Sequence, residues 1–166
     1  MAANPRSFDA SGVSPPDAIV TLRSLRRRFA EAFERADNPA DLSRRSDDGR
    51  TPLEHAASTT TAFETIGSAL RKVLLSEHPL VELPAVDPSG SAGTGGNLTG
   101  ASVLAALGDT AGKLADTMAD AHGEDWSRSG QSATGEVSAL DIARLAVQIG
   151  INHLRAAERA IGEKPS

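Results

Sequence analysis

The stretch from Ser138 to Gly162, SALDIARLAVQIGINHLRAAERAIG, restricts the possible folds more than any other part of the chain. At 100° per residue, Arg144, Gln148, Asn152, Arg155 and Arg159 fall in one polar band roughly 80° wide. The apolar and small residues, among them Ile142, Leu145, Ile149, Leu154 and Ile161, spread over about 240°, far more than the ~100° stripe of an ordinary surface helix. Such a helix is either the centre of a bundle or shared with a second subunit. Ser138 with Asp141 three residues on supplies a capping start, and Gly162 a stop.

Three more segments carry helical signatures. Ser14 precedes Pro15, Pro16 and Asp17, and Ala18, Leu22, Leu25, Phe29, Ala32 and Phe33 then recur at helical spacing, which predicts a helix to about Ala36. The sequence TPLE, Thr51 to Glu54, opens a second, with Phe63, Ile66, Leu70 and Val73 on its stripe. Leu104, Leu107, Ala111, Leu114, Met118 and Ala121 mark a third by alternating steps of three and four. The expected fold is all-α, a four-helix bundle occupying residues 14–162, between a flexible N-terminus, 1–13, and a short tail, 163–166. The connections are long, roughly 13, 21 and 15 residues, enough to run back along a helix, so a crossover topology is open beside the up-and-down one. The second linker ends in SGSAGTGGN, which reads as a flexible loop, and GEDWSRSGQSATGEV reads as a loop without strands.

Composition agrees and excludes. In 166 residues there is no Tyr, aromatics are 3%, and abundant Ala suits closely packed helices. With no cysteine the chain has no disulfide, thiolate metal site or thiol nucleophile of its own. A net charge of -5 argues against general binding to nucleic acid. No signal peptide or 18-residue apolar run is found, so the chain is expected in the cytoplasm and off the membrane. Arg outnumbers Lys by 14 to 3, a GC-rich bias that suggests an actinobacterial source.

Few residues carry chemistry. His153 lies inside the apolar arc, one turn after Ile149, and reads first as a satisfied core or interface histidine and second as a metal ligand. The hydroxyl run Ser58 to Thr61 has no adjacent His and carboxylate to activate it. GTGGNLTG, Gly93 to Gly100, lacks the lysine and preceding strand of a phosphate loop. The arginines of RSLRRR read as a solvated face paired with nearby acids, and His78 and His122 as exposed.

The ending SALDIARLAVQIGINHLRAAERAIG, with DWSRSG, GRTPLEHAAS and HPLVELPAVDP, resembles the DinB-like superfamily, and in particular the metal-binding domain of mycothiol-dependent maleylpyruvate isomerase. The resemblance implies an up-up-down-down bundle in which the start of helix two meets the end of helix four. It also implies a divalent metal (Zn, Ni or Mn) held by one His on helix two and an H-x-x-x-H or E-x-x-x-H pair on helix four, serving a low-molecular-weight thiol or a water. Carried over, the last ligand matches His153, the other member of the pair falls on Ile149, and the helix-two ligand aligns with Ser58, with His55 one turn earlier. Trp126 matches a segment that anchors against the bundle end. The metal residues on this reading are His153 and His55, in an incomplete site. Two functions follow: a non-catalytic binding or scaffolding bundle that self-associates as a homodimer, or a metal-assisted, thiol-dependent transferase or isomerase acting on a small electrophile.

Overall fold

All four helices begin where a side-chain oxygen can take up a free backbone amide. In the computed structural model, which describes residues 8–46, 48–86 and 97–162, they are α1 (Pro15–Glu34), α2 (Pro52–Leu75), α3 (Gly100–Ala119) and α4 (Ala139–Gly162). Ser14 caps α1 through the amide of Asp17 at 3.3 Å. Thr51 and Glu54 form the expected reciprocal box on α2, both bonds 3.0 Å, and Ser138 and Asp141 do the same for α4. The cap of α3, Thr99 paired with Ser102 at 3.1 Å, went unread in the sequence because it follows directly on a run of loop-like residues. The Gly/Ser-rich stretch 89–96 lies outside the described residues, as do 1–7 and 163–166.

The bundle and its crossover are as expected, but the helix directions are not up-up-down-down. Arg144 near the start of α4 reaches the carbonyl of Val13 beside the start of α1, and Arg35 at the end of α1 lies 3.8 Å from Glu158 near the end of α4. These two helices are therefore parallel. His55 at the start of α2 meets His153 in the last half of α4, and Arg23 early in α1 pairs with Asp116 late in α3 at 3.1 Å. So α2 and α3 run the other way, and the order is up-down-down-up. The physical reason lies in the linkers. The first keeps to one end, folding into a 3-10 turn, Pro39–Ser43, while the third folds locally at the other end. Only the second, between α2 and α3, must cross the length of the bundle. Helix α1 packs on α3 and α4, and α2 packs on α3 and α4, which leaves α1 diagonal to α2.

The third linker contains the strands that its composition concealed. After a 3-10 turn, Gly123–Ser127, β1 (Ser129–Ser132) pairs antiparallel with β2 (Gly135–Ser138). Four residues are too few to display alternation, so no period-two signal was present. Pro79 and Val81 bond to Gln131 at 2.8 and 2.9 Å and bring the segment after α2 alongside β1. Gly130 allows this approach, since a Cβ there would sit 2.7 Å from the Pro79 carbonyl. Arg128 donates to the carbonyls of Val73 and Ser76 and so satisfies the C-terminal end of α2, while Trp126 packs on the core as expected.

Helix α4 is central. Ile142, Ala146, Ile149, Gly150, Leu154 and Ala157 are all buried by the single chain, so the broad apolar arc does not call for a second subunit. Its polar band has a different use. Residues 8–13, read from the sequence as loose, lie along that band: Phe8 N–H donates to Asn152 Oδ1 at 2.8 Å, Arg144 Nε donates to the Val13 carbonyl at 2.9 Å, and the Arg155 guanidinium stands 5.3 Å over the Phe8 ring. Ala10 in between is only 4% exposed. Replacing Asn152 by Ala should therefore speed amide exchange at Phe8 and cost about 1 kcal/mol of stability. Unchanged exchange at Phe8 would show that the segment is held without that bond.

Candidate functional site

The capped start of α2 and the last turns of α4 bring together the two histidines that the sequence offered. His55 and His153, 98 positions apart, touch through their Nδ1 atoms at 2.9 Å, with ring centroids 5.2 Å apart. Both are buried, 3% and 6% exposed. His78 and His122 lie elsewhere and are exposed, as expected.

A third member, missed in the sequence reading, comes from the turn before α2. Asp48 Oδ1 accepts from Ser46 Oγ at 2.6 Å and from Arg50 N at 2.9 Å, which fixes the carboxylate in the turn. Its Oδ2 lies 2.9 Å from His55 Nε2. That nitrogen has no aligned hydrogen-bond acceptor, so the approach is close but oblique and not a formed hydrogen bond. The sequence did hold a signal: S-D-D-G-R immediately before the T-P-x-E cap places a turn carboxylate within reach of the first turn of the helix. Arg50 completes the group, buried at 8% exposure with Nη1 3.3 Å from Ser58 Oγ.

Proton positions follow from these contacts. An ionised carboxylate 2.9 Å from Nε2 requires the proton to sit on Nε2, because two lone pairs at that distance repel. Neutral His55 then has a bare Nδ1, so the proton between the rings belongs to His153 Nδ1. His153 is left with its lone pair on Nε2. Electrostatics keep the rings neutral. Burial pushes the His153 imidazole down to about 3, with the neighbouring His55 and Arg50 adding to the fall. Burial is also the largest influence on His55 and lowers it, against the opposing pull of Asp48. Partial burial alone would raise the Asp48 carboxyl, but the bonds from Ser46 and Arg50 and the contact with His55 outweigh it and hold it low.

This donor set does not fit a catalytic divalent ion. Such an ion takes three protein ligands and an open position. His55 Nδ1 is engaged by His153 and its Nε2 carries the proton that faces Asp48, Ser58 Oγ accepts from Arg50, and Ile149 is buried and apolar. That leaves one imidazole nitrogen. Among the described residues no group of three His, Cys, Asp or Glu side chains is placed to hold a metal ion. The hydroxyl run gives no nucleophile either, as Thr59, Thr60 and Thr61 donate to carbonyls one turn back on α2.

Among solved structures the chain is similar to YfiT from Bacillus subtilis, described as a probable metal-dependent hydrolase with an unusual four-helix bundle topology. The TM-score is 0.71 at 15% identity, over 99% of this chain and 95% of that chain. The fold is shared. At that identity the likeness reaches no further than the four-helix bundle. No family model and no curated protein matches.

Proposed function

We propose that this chain is a metal-free member of the DinB-like superfamily that serves as a non-catalytic binding or scaffolding bundle in the cytoplasm. The observation that carries the reading is the direct His55–His153 hydrogen bond, with Asp48 on the far side of His55, because it occupies both Nδ1 atoms and leaves a single bare ring nitrogen, on His153, for a metal. No helix among the described residues is long and apolar enough to cross a membrane. Self-association as a homodimer belongs to the proposal as well. Its apolar surface would not be α4, which the chain buries itself, and Leu75 and Leu80, 82% and 79% exposed, are the large apolar side chains left in water near the end of α2.

The competing reading is a metal-assisted enzyme, either the thiol-dependent transferase or isomerase acting on a small electrophile or a hydrolase like the one YfiT is described to be. It draws on the same meeting of His55 and His153, and it requires a metal to displace their shared proton. Elemental analysis of gently purified protein, with melting followed in Zn²⁺, Ni²⁺ and Mn²⁺, separates the two, since a native-state ligand at 100 times its Kd raises stability by about 2.7 kcal/mol. The expected outcome is no stoichiometric metal and no shift in melting. A bound equivalent of metal that His153→Ala abolishes would reject the proposal. A strictly monomeric mass at micromolar concentrations would remove its self-association clause.

A further inference from the structure

We infer that the Arg50 guanidinium is the resident cation of this centre and that its charge keeps divalent ions out. The inference rests on the metal-free reading above and explains how that state is maintained. Arg50 is the last residue but one before α2, and its backbone is pinned by the carboxylate that contacts His55, the amide donating to Asp48 Oδ1 at 2.9 Å. Its side chain is carried inward and not out to water, at 8% exposure, and Nη1 donates to Ser58 Oγ at 3.3 Å. Ser58 lies one turn along α2 from His55, so the guanidinium stands over the α2 face that presents the imidazole. Its charge bears on both rings.

Charges of both signs stand beside the pair. A buried cation, Arg50, and a half-exposed anion, Asp48, flank a neutral imidazole pair, so a positive charge is already in place beside it. A divalent ion entering beside His153 Nε2 would meet the like charge that already acts on that ring, in a poorly screened interior, with Arg159 also acting on His55. A missing ligand and a standing cation are distinct obstacles, and they can be separated by experiment.

The test supplies the missing ligand and varies the cation. Ile149→His creates an imidazole pair one turn apart on α4, the spacing that binds zinc on a helix face. It is prepared with Arg50 unchanged, with Arg50→Lys and with Arg50→Gln, and the folded proteins are titrated with Ni²⁺ and Zn²⁺ by calorimetry. The expected result is affinity about tenfold or more higher with Arg50→Gln than with Arg50 or Arg50→Lys, because only Gln removes the charge. Equal affinities in all three, or Lys behaving as Gln, would overturn the inference. Should Ile149→His unfold the core, Ser58→His at the half-buried position on α2 carries the same three-way comparison. Stoichiometric metal in the unsubstituted chain would instead fell the metal-free reading, so the two failures are told apart.

Discussion

Lowering the pH from 7 to 5 is expected to cost the fold about 2 kcal/mol or more, before ordinary carboxylates begin to titrate. His153 in the folded chain protonates only near 3, against 6.5 when unfolded. Between those values the unfolded chain takes up a proton that the folded chain refuses, so the stabilising contribution is complete above 6.5 and is lost as the pH falls toward 3. The slope approaches about 1.4 kcal/mol per pH unit for each such histidine. His55, shifted in the same direction by burial, adds to it. The Asp48 carboxyl is also held low, which for a carboxylate is stabilisation present above its unfolded value and lost only at lower pH, outside this window. Urea midpoints measured at pH 7, 6 and 5 check the expectation, and His153→Gln should flatten the curve. Stability unchanged from pH 7 to 5 would mean that the pair takes up protons as readily folded as unfolded, which a buried, mutually bonded pair cannot do.

The second large effect is steric. Gly150→Val should destabilise the chain by about 3 kcal/mol, at the upper end of what overpacking costs. A Cβ at Gly150 would lie 2.7 Å from Leu25 Cδ1 and 3.1 Å from Phe63 Cζ, and both side chains are fully buried with nowhere to retreat. Here α4 packs directly on side chains of α1 and α2. A glycine in mid-helix costs about 1 kcal/mol relative to alanine, so its presence here is explained by the approach it permits. Pairing the change with Leu25→Ala should return part of the loss, since the deleted methyls are the ones in the way. A Gly150→Val chain as stable as the natural one would show the helices free to part.

Much of the architecture could be read from local chemistry. Ser14-Pro15, Thr51-Pro52-x-Glu54 and Ser138-x-x-Asp141 mark helix starts because capping is settled within four residues, and the structure places all three as read. The apolar arc of α4 marked a helix either central or shared with a second subunit, since a helix apolar on most sides must be covered on most sides, and the chain itself covers it. Helix directions were left open by the linkers, whose length says what they can span and not whether they do, and the up-up-down-down order implied by the resemblance is not the one formed. The hairpin escaped because Gly130 and Ser132 have no side chains that alternate in hydrophobicity.

The candidate site divides in the same way. Its inventory was legible once the resemblance was added to the helical pattern: His153 inward on α4, Ile149 where a ligand would stand, and Ser58 on α2 with His55 one turn earlier. Residue identity alone established that fewer imidazoles than a metal needs were available. Only the tertiary structure decided what those residues do to one another, because a 2.9 Å contact between His55 and His153, a turn carboxylate beside it and a guanidinium folded inward all depend on which helix ends meet. Caps and stripes are short-range and leave their mark in sequence. Proton placement and charge compensation are set by distances across the bundle, and these exist only once it has closed.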